Sequence, residues 1–390
     1  MTMERGPQRH GDSERARQGD GRRGEGVVGM GQAVEGTSYY NRPMIKRPTW
    51  KWFIPFYFFI GGLGGGVGLI GGLADLFGGQ RHRATVRRAR YIALITGLIS
   101  PLLLILDLGR PRRFHHMLRI IKVSSPLNIG TWLLLAFGLT SGVQAARQAA
   151  EDDFILRRAS WPGRLAQLLP SKPLSLMQAV LGLGFGGYTG LLLAATAIPL
   201  WATAGVLLGP LFLATAVASG AAALVLLAGL RQGQRGDDED EKARAEVETL
   251  ATVSTATQIG LEIAREAMTP YAIGKPLRRG TWSTVYRFGA IGGGMLMPLA
   301  LRLPAQVRGR PVGRAISVTA AALTLAGALA ERFAIVEAGK QSADDPQAYQ
   351  EYSAGDPGSA RPTPEQQAKM APRIKAARPH IAAKDTRISG

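Results

Sequence analysis

The chain holds 390 residues, 46% of them hydrophobic and only 19% charged, with 50 glycines and a formal net charge of +19. Residues 173–230 contain no Asp, Glu, Lys or Arg. A bilayer-spanning helix needs about 20 apolar residues, so this run is two spans joined by a short turn, and a soluble enzyme is excluded.

The absence of Cys excludes a thiolate-held iron–sulfur cluster, a c-type haem and a disulfide. The five histidines (His10, His82, His115, His116 and His380) all lie outside the apolar runs. Facing membrane helices therefore cannot hold a b-type haem through two imidazoles. Any redox metal that this chain works with is expected in another chain. The positive charge would suit a nucleic-acid binder. The Arg residues, however, gather just outside the apolar runs, where they meet anionic lipid headgroups or acidic partner subunits; no nucleic acid is expected as a partner.

Residues 1–40 are rich in Gly, Arg, Glu and Gln and read as a disordered polar tail. No apolar segment follows the early Arg residues, so a cleaved secretory signal is not expected. Eight spans follow: 52–74, 91–106, 123–146, 175–199, 206–230, 246–268, 281–301 and 315–330. The sixth carries Thr, Ser and Gln throughout, with Glu262, Arg265 and Glu266 in its second half. It reads as a helix packed among the others, because those groups need protein or water around them. The expectation is an all-α integral membrane protein of about eight helices. They form a first four-helix bundle over 41–202 and a second over 203–338, followed by a disordered polar tail over 339–390. An even span count puts both tails on one face.

Gly66-Val67-Gly68-Leu69-Ile70-Gly71 and Gly182-Leu183-Gly184-Phe185-Gly186-Gly187 both match GxGxxG. A dinucleotide site needs a preceding strand and a helix N-terminus aimed at the phosphates. Both matches fall inside apolar spans, so they read as surfaces for close helix packing. Gly61/Gly65, Gly64/Gly68 and Gly68/Gly72 form pairs of small residues one helical turn apart, and Gly292-Gly293-Gly294 plays the same part in the seventh span.

Polar chemistry gathers on the tail-bearing face. Span two ends in Asp107, three residues before Arg110, so the two are spaced either for a structural ion pair or for a functional carboxylate. Span three opens Ser125-Pro126-Leu127-Asn128, span four carries Tyr188-Thr189 and exits at Trp201, and the later spans bring Glu262, Glu266, Trp282, Tyr286, Arg287, Glu331 and Arg332. Asp75 borders the opposite end of span one.

Several of these stretches are familiar together. Tyr40-Asn41-Arg42-Pro43, Arg47-Pro48-Thr49-Trp50-Lys51-Trp52, Pro55-Phe56-Tyr57-Phe58-Phe59-Ile60-Gly61-Gly62, Asp107-Leu108-Gly109-Arg110-Pro111, Ser125-Pro126-Leu127-Asn128-Ile129-Gly130-Thr131-Trp132 and Tyr188-Thr189-Gly190 resemble the polysulfide-reductase membrane-subunit family, also called NrfD-like proteins. The resemblance covers about 40–340 and is most specific across the first four spans; at Leu127-Asn128 the family more commonly has Met-Ser. It implies a quinone site (menaquinone or ubiquinone) with no haem or iron–sulfur cluster in this chain. It further implies a four-cluster ferredoxin-like iron–sulfur partner and a molybdopterin catalytic subunit beyond it. The quinone is expected among the first four helices, with Asp107 as proton carrier, Asn128, Tyr188 or Trp201 as hydrogen-bond partners, and Arg110 tuning Asp107.

Two other readings stand beside this one: a redox-inactive anchor, and an ion-translocating or transporter unit favoured by Asp75, Glu262 and Glu331. The location is the cell (inner) membrane in many passes. The Lys/Arg balance of the short loops favours the tails outside, whereas the basic segment 1–51 without an export signal favours them inside, where they are placed.

Overall fold

The computed structural model describes residues 45–119, 121–122, 124–153, 161–231 and 238–355, and every regular element among them is a helix. The long ones are α1 (Phe53–Phe77), α2 (Arg83–Asp107), α3 (Pro126–Glu151), α5 (Ser171–Ala194), α7 (Gly205–Arg231), α8 (Asp238–Met268) and α12 (Arg314–Asp344). An eighth, Thr281–Val307, runs through α10 (Thr281–Thr284), a π-helical stretch (Val285–Leu296) and α11 (Met297–Val307). Short pieces link them: a 3-10 helix Pro111–Leu118, α4 (Trp161–Leu168), α6 (Pro199–Thr203), α9 (Tyr271–Arg278) and α13 (Pro346–Gly355).

Seven of the eight long helices are long and apolar enough to cross a membrane; α8 is too polar to qualify by composition. With lipid outside, a helix satisfies its own backbone and can present apolar side chains all round, which is why these runs fold as they do. α8 has another solution. Glu248, Thr255, Gln258, Glu262 and Arg265 on it are all buried: α8 packs on α7, α11 and the π-helical stretch, and Glu248 and Gln258 bond to Ser317 and Glu331 of α12. Its 31 residues extend about 46 Å, enough to cross a bilayer.

α1 is the central element, packed on α2, α5, α7 and α12. Its glycines make that possible. A Cβ at Gly65 would lie 2.5 Å from the Gly186 nitrogen of α5, and one at Gly72 would lie 2.5 Å from the Ser175 carbonyl oxygen. In the second half, Gly294 and Gly327 meet Cα against Cα where the π-helical stretch crosses α12. Both GxGxxG matches therefore lie in helices and serve as contact surfaces.

Two corrections concern the ends. Helical structure continues past the expected tail boundary at 339: α12 runs to Asp344 and α13 to Gly355. The reason is specific seating. Gly339 lies under the Trp201 ring, where a Cβ would come within 2.0 Å, and the Ser342 hydroxyl accepts the Leu200 N–H at 3.3 Å. In addition, α2 begins at Arg83, a full two turns before the expected 91. The expected tails at 1–40 and beyond 355 lie outside the described residues.

On the face opposite the tails, Arg90 is buried and forks onto Gln144 (3.1 Å), Gln148 (3.0 Å) and Asp75 (3.2 Å). Asp75 thus sits in a structural network that also takes the Ser175 hydroxyl. Just beyond α3, Asp152 accepts from Arg87 Nε (2.9 Å), the Tyr91 hydroxyl (2.7 Å) and Gln148 Nε2 (3.0 Å). Partial burial pushes the Asp152 carboxyl up, but the hydrogen bonds and the Arg87 guanidinium outweigh it and hold the group below its ordinary value. A carboxyl depressed in the folded state stabilises above its unfolded pKa of about 3.9, and that stability is lost as pH falls through the folded value. Asp152→Asn should therefore lower the unfolding temperature of the detergent-solubilised chain at neutral pH, with the deficit shrinking toward pH ~3. A deficit independent of pH would show that the carboxylate charge contributes nothing.

Candidate functional site

Pro111, four residues beyond Asp107, disfavours continuing the helix, and Asp107 is the last residue of α2, a helix long and apolar enough to cross a membrane. Its Oδ1 accepts the backbone N–H of Lys51 at 3.0 Å, while Oδ2 takes no hydrogen bond among the described residues. The pairing with Arg110 that the spacing permits is not formed: Arg110 is exposed and makes no ion pair among the described residues.

The segment that holds Asp107 is itself held from the other side. Trp50 stacks on Trp201 (ring centroids 5.5 Å apart, 13° between planes), and Lys340 donates to the Trp50 carbonyl at 2.7 Å. Trp201 is fully buried and its indole N–H already donates to the Ile335 carbonyl at 2.9 Å. Trp50–Lys51 therefore joins Asp107 on α2 to Trp201 on α6 and to α12.

Asn128 and Tyr188 form a second group at the start of α3. Asn128 Oδ1 accepts the Lys122 N–H at 2.6 Å and its Nδ2 donates to the Met117 carbonyl at 3.2 Å, tying the loop after the 3-10 helix to the first turn of α3. Tyr188, on α5, donates to the Pro126 carbonyl at 2.5 Å, and its ring rests on Gly130, where a Cβ would come within 2.1 Å. The structure thus brings Asp107 together with Trp201 through one segment, and Asn128 together with Tyr188 through another.

Sequence reasoning missed the residue that lies near Tyr188 from α1. Tyr57 reads from sequence as an interfacial aromatic, yet it is only 2% exposed and its ring lies 6.5 Å from that of Phe185, three residues before Tyr188 on α5. Its hydroxyl makes no hydrogen bond among the described residues. The Thr189 hydroxyl is likewise buried with no partner. The signal for Tyr57 was present in its Phe-rich surroundings, since a polar ring amid Phe56, Phe58 and Phe59 needs a reason to be there. Lys51 and Lys340 gave no such signal, because their roles come from contacts with distant chain.

The second half carries its own buried polar groups. Glu331 is fully buried and accepts from Thr215 (2.9 Å) and Gln258 (3.0 Å), with Arg332 at 3.7 Å. Arg332 in turn lies over the Phe212 ring at 3.5 Å. Glu262 takes Arg265 Nε at 2.8 Å and the Tyr286 hydroxyl at 2.5 Å, and Glu266 takes Arg278 Nε at 2.7 Å. Among the described residues no cluster of His, Asp or Glu could hold a metal ion.

This arrangement of apolar helices around polar groups at one face has counterparts among known proteins. The C chain of the polysulfide reductase of Wolinella succinogenes is 28% identical over 316 residues, an alignment that spans 75% of the present chain and 94% of that one. Residues 41–343, covering all eight long helices but for the last residue of α12, match the family described as polysulphide reductase, NrfD. The chain belongs to the NrfD polysulphide reductase family and is a multi-pass membrane protein of that family.

Proposed function

We propose that this chain is the membrane anchor and quinone-reactive subunit of a multi-subunit oxidoreductase, exchanging electrons between an iron–sulfur partner and menaquinone or ubiquinone. The partner is a four-cluster ferredoxin-like protein with a molybdopterin catalytic subunit beyond it. The observation that carries the reading is Asp107: a carboxylate at the hydrocarbon edge, oriented by the Lys51 N–H and not neutralised by Arg110, with Oδ2 uncommitted.

The residue types suit the group. A bound quinone supplies a carrier of two electrons and two protons, and its two oxygens need hydrogen-bond partners. The candidates to provide them are the Asp107 carboxylate and the hydroxyls of Tyr57 and Thr189, which take no hydrogen bond among the described residues. In this reading Asp107 moves the proton. Asn128 and Tyr188 fix the loop and the α3–α5 wall and can lend their polar atoms to the headgroup. Trp201 positions Trp50–Lys51, and Arg110 sets the potential at Asp107 from the water side. The chain lies in the cell membrane with its tails in the cytoplasm.

Docking follows from charge. In and beside the 3-10 helix, Arg112, Arg113 and Arg119 are exposed and make no ion pair among the described residues, as does Arg279 after α9. Lys275 and Arg278 are partly neutralised by Asp345 (3.9 Å) and Glu266. An acidic-faced iron–sulfur partner should dock there, in a salt-sensitive manner. Chemical crosslinking of the intact complex should join residues 111–122 and 279 to an iron–sulfur protein, and purification at high salt should strip that protein off. Crosslinks confined to the opposite loops, such as 302–314, would reverse the assignment. Recovery of no iron–sulfur protein at all would remove it.

The ion-translocating reading is favoured by one observation: Glu248 and Glu262 on α8 and Glu331 on α12 are all buried, with Glu331 bonded to Gln258 of α8. Proton release measured on both sides of sealed vesicles during quinone turnover separates it from simple quinone chemistry.

A further inference from the structure

The span Thr281–Val307 has 27 residues, about 40 Å of helix against a hydrocarbon core of about 30 Å. Arg287, six residues past its start, therefore falls close to the edge of the hydrocarbon, at the level of lipid headgroups. Its side chain is exposed and makes no ion pair or hydrogen bond among the described residues. The surface around it is apolar: Phe288 beside it is 75% exposed, and Ile263 on α8 is 66% exposed. A cation in such a place is costly unless something anionic or water meets it.

Arg287 also lines a cavity of about 460 Å³ between α8, α9 and the π-helical stretch, within the ~300–1,000 Å³ of ordinary small-molecule sites. The other walls are mostly aliphatic, including Ile259, Ile263, Leu277 and Ile291. The remaining charges around the cavity are matched. Glu262 takes Arg265 Nε at 2.8 Å, and Glu266 takes Arg278 Nε at 2.7 Å with Arg265 at 3.8 Å. Two carboxylates thus face two guanidiniums, and Arg287 is the charge left without a counterpart. An occupant that satisfies both parts of the site has an apolar body and an anionic group at one end.

We propose that this cavity holds an acidic membrane phospholipid, its phosphate on Arg287 and one acyl chain along the aliphatic wall. Charge complementarity at headgroup level selects this occupant. A neutral quinone offers no charge to Arg287, and a partner's membrane helix would have to bring a carboxylate of its own to the hydrocarbon edge. The cavity also opens beside Ile263, on the surface where acyl chains lie. The lipid has a structural consequence. α8 is too polar to qualify as a span by composition, and a lipid seated between it and the π-helical stretch covers the joint between the two. The inference is independent of quinone chemistry.

The test is photocrosslinking of the full-length protein, with the subunits that copurify, in nanodiscs. The probes are phosphatidylglycerol and phosphatidylcholine, each carrying a diazirine in one acyl chain, and the adducts are located by peptide mapping. Phosphatidylglycerol adducts are expected within 259–295, about 5-fold above those of phosphatidylcholine at equal content, the scale of one Arg meeting an anionic headgroup. Arg287→Gln should erase that preference, and Arg287→Lys should keep most of it, because a phosphate also accepts a point charge. Arg308→Gln, an exposed position on the opposite side, should leave it unchanged. Ile263→Trp, which fills the cavity from its exposed side, should remove the adducts of both lipids. Arg287 has no partner among the described residues to lose, so Arg287→Gln decides the matter if Ile263→Trp fails to assemble. Equal labelling by the two lipids, or a preference that survives Arg287→Gln, would overturn the proposal. So would the absence of lipid adducts from 259–295, whether a quinone, a partner's helix or nothing is found there instead.

Discussion

Asp107→Asn should lower quinone turnover on the order of 10²-fold, the usual scale for losing one proton-transfer group, while the complex assembles normally. The geometry makes this substitution unusually clean. The Asp107 contact seen in the structure is Oδ1 accepting the Lys51 N–H at 3.0 Å, and an asparagine keeps that acceptor in place. What it loses is the ability of the second oxygen to carry a proton. The partner subunits should keep their activity with an artificial soluble acceptor or donor, because nothing they contribute depends on Asp107. The loss should appear in kcat with quinone, with little change in the concentration of quinone that half-saturates the enzyme.

A second variant separates chemistry from architecture. Asp107→Leu removes the acceptor as well, so Lys51 loses its anchor and Trp50 is held only by Trp201 and Lys340. It should impair assembly or raise the half-saturating quinone concentration in addition to slowing turnover. If Asp107→Asn turns over quinone at the normal rate while Asp107→Leu does not, Asp107 is a clamp for the Trp50–Lys51 segment and the proton is carried by another group.

How far the sequence discloses the molecule depends on the range over which each feature is determined. The seven apolar spans are legible because each is dictated locally: lipid requires about 20 apolar residues in a row, and a window of that length contains the whole requirement. α8 is legible as the weakest of the eight spans, but its polar contacts are not, because the partners that make its polar groups tolerable lie far away in sequence. Ser317 donates to Glu248 at 2.5 Å and Gln258 to Glu331 at 3.0 Å, each pair more than sixty positions apart. The same holds at the candidate site. The residue types at Asp107, Asn128, Tyr188 and Trp201 stand out against their apolar surroundings, and the eye finds them. Their hydrogen bonds do not stand out. Trp201 is committed to Ile335, 134 positions away, and Asp107 to Lys51, 56 positions away. The helical continuation past 339 is hidden for the same reason, since it depends on a tryptophan from α6 seated on a glycine of α12.

Gly66→Ala should destabilise the chain severely, although it adds a single methyl group. A Cβ at this position would lie 1.8 Å from the Ala216 carbonyl oxygen and 2.4 Å from its carbon, both backbone atoms of α7. No side chain can rotate away, so α1 and α7 must part. The same crossing is closed from the other side by Gly220, whose Cβ would lie 2.7 Å from the Gly66 carbonyl carbon. Overpacking a rigid contact costs about 1–3 kcal/mol when neighbours can adjust, and here the adjustment must be made by two helices at once. The control has the opposite sign. Gly142 in α3 has nothing within 4 Å of where a Cβ would stand, so Gly142→Ala should leave stability unchanged or raise it by about 0.5–1 kcal/mol through the helix preference of alanine over glycine. Thermal unfolding of the two detergent-solubilised variants reads the difference directly. A Gly66→Ala chain that melts like the wild type would mean that α1 and α7 do not cross here. The Gly66–Gly71 glycines would then need another explanation, and a ligand drawn close to that backbone would be the first to look for.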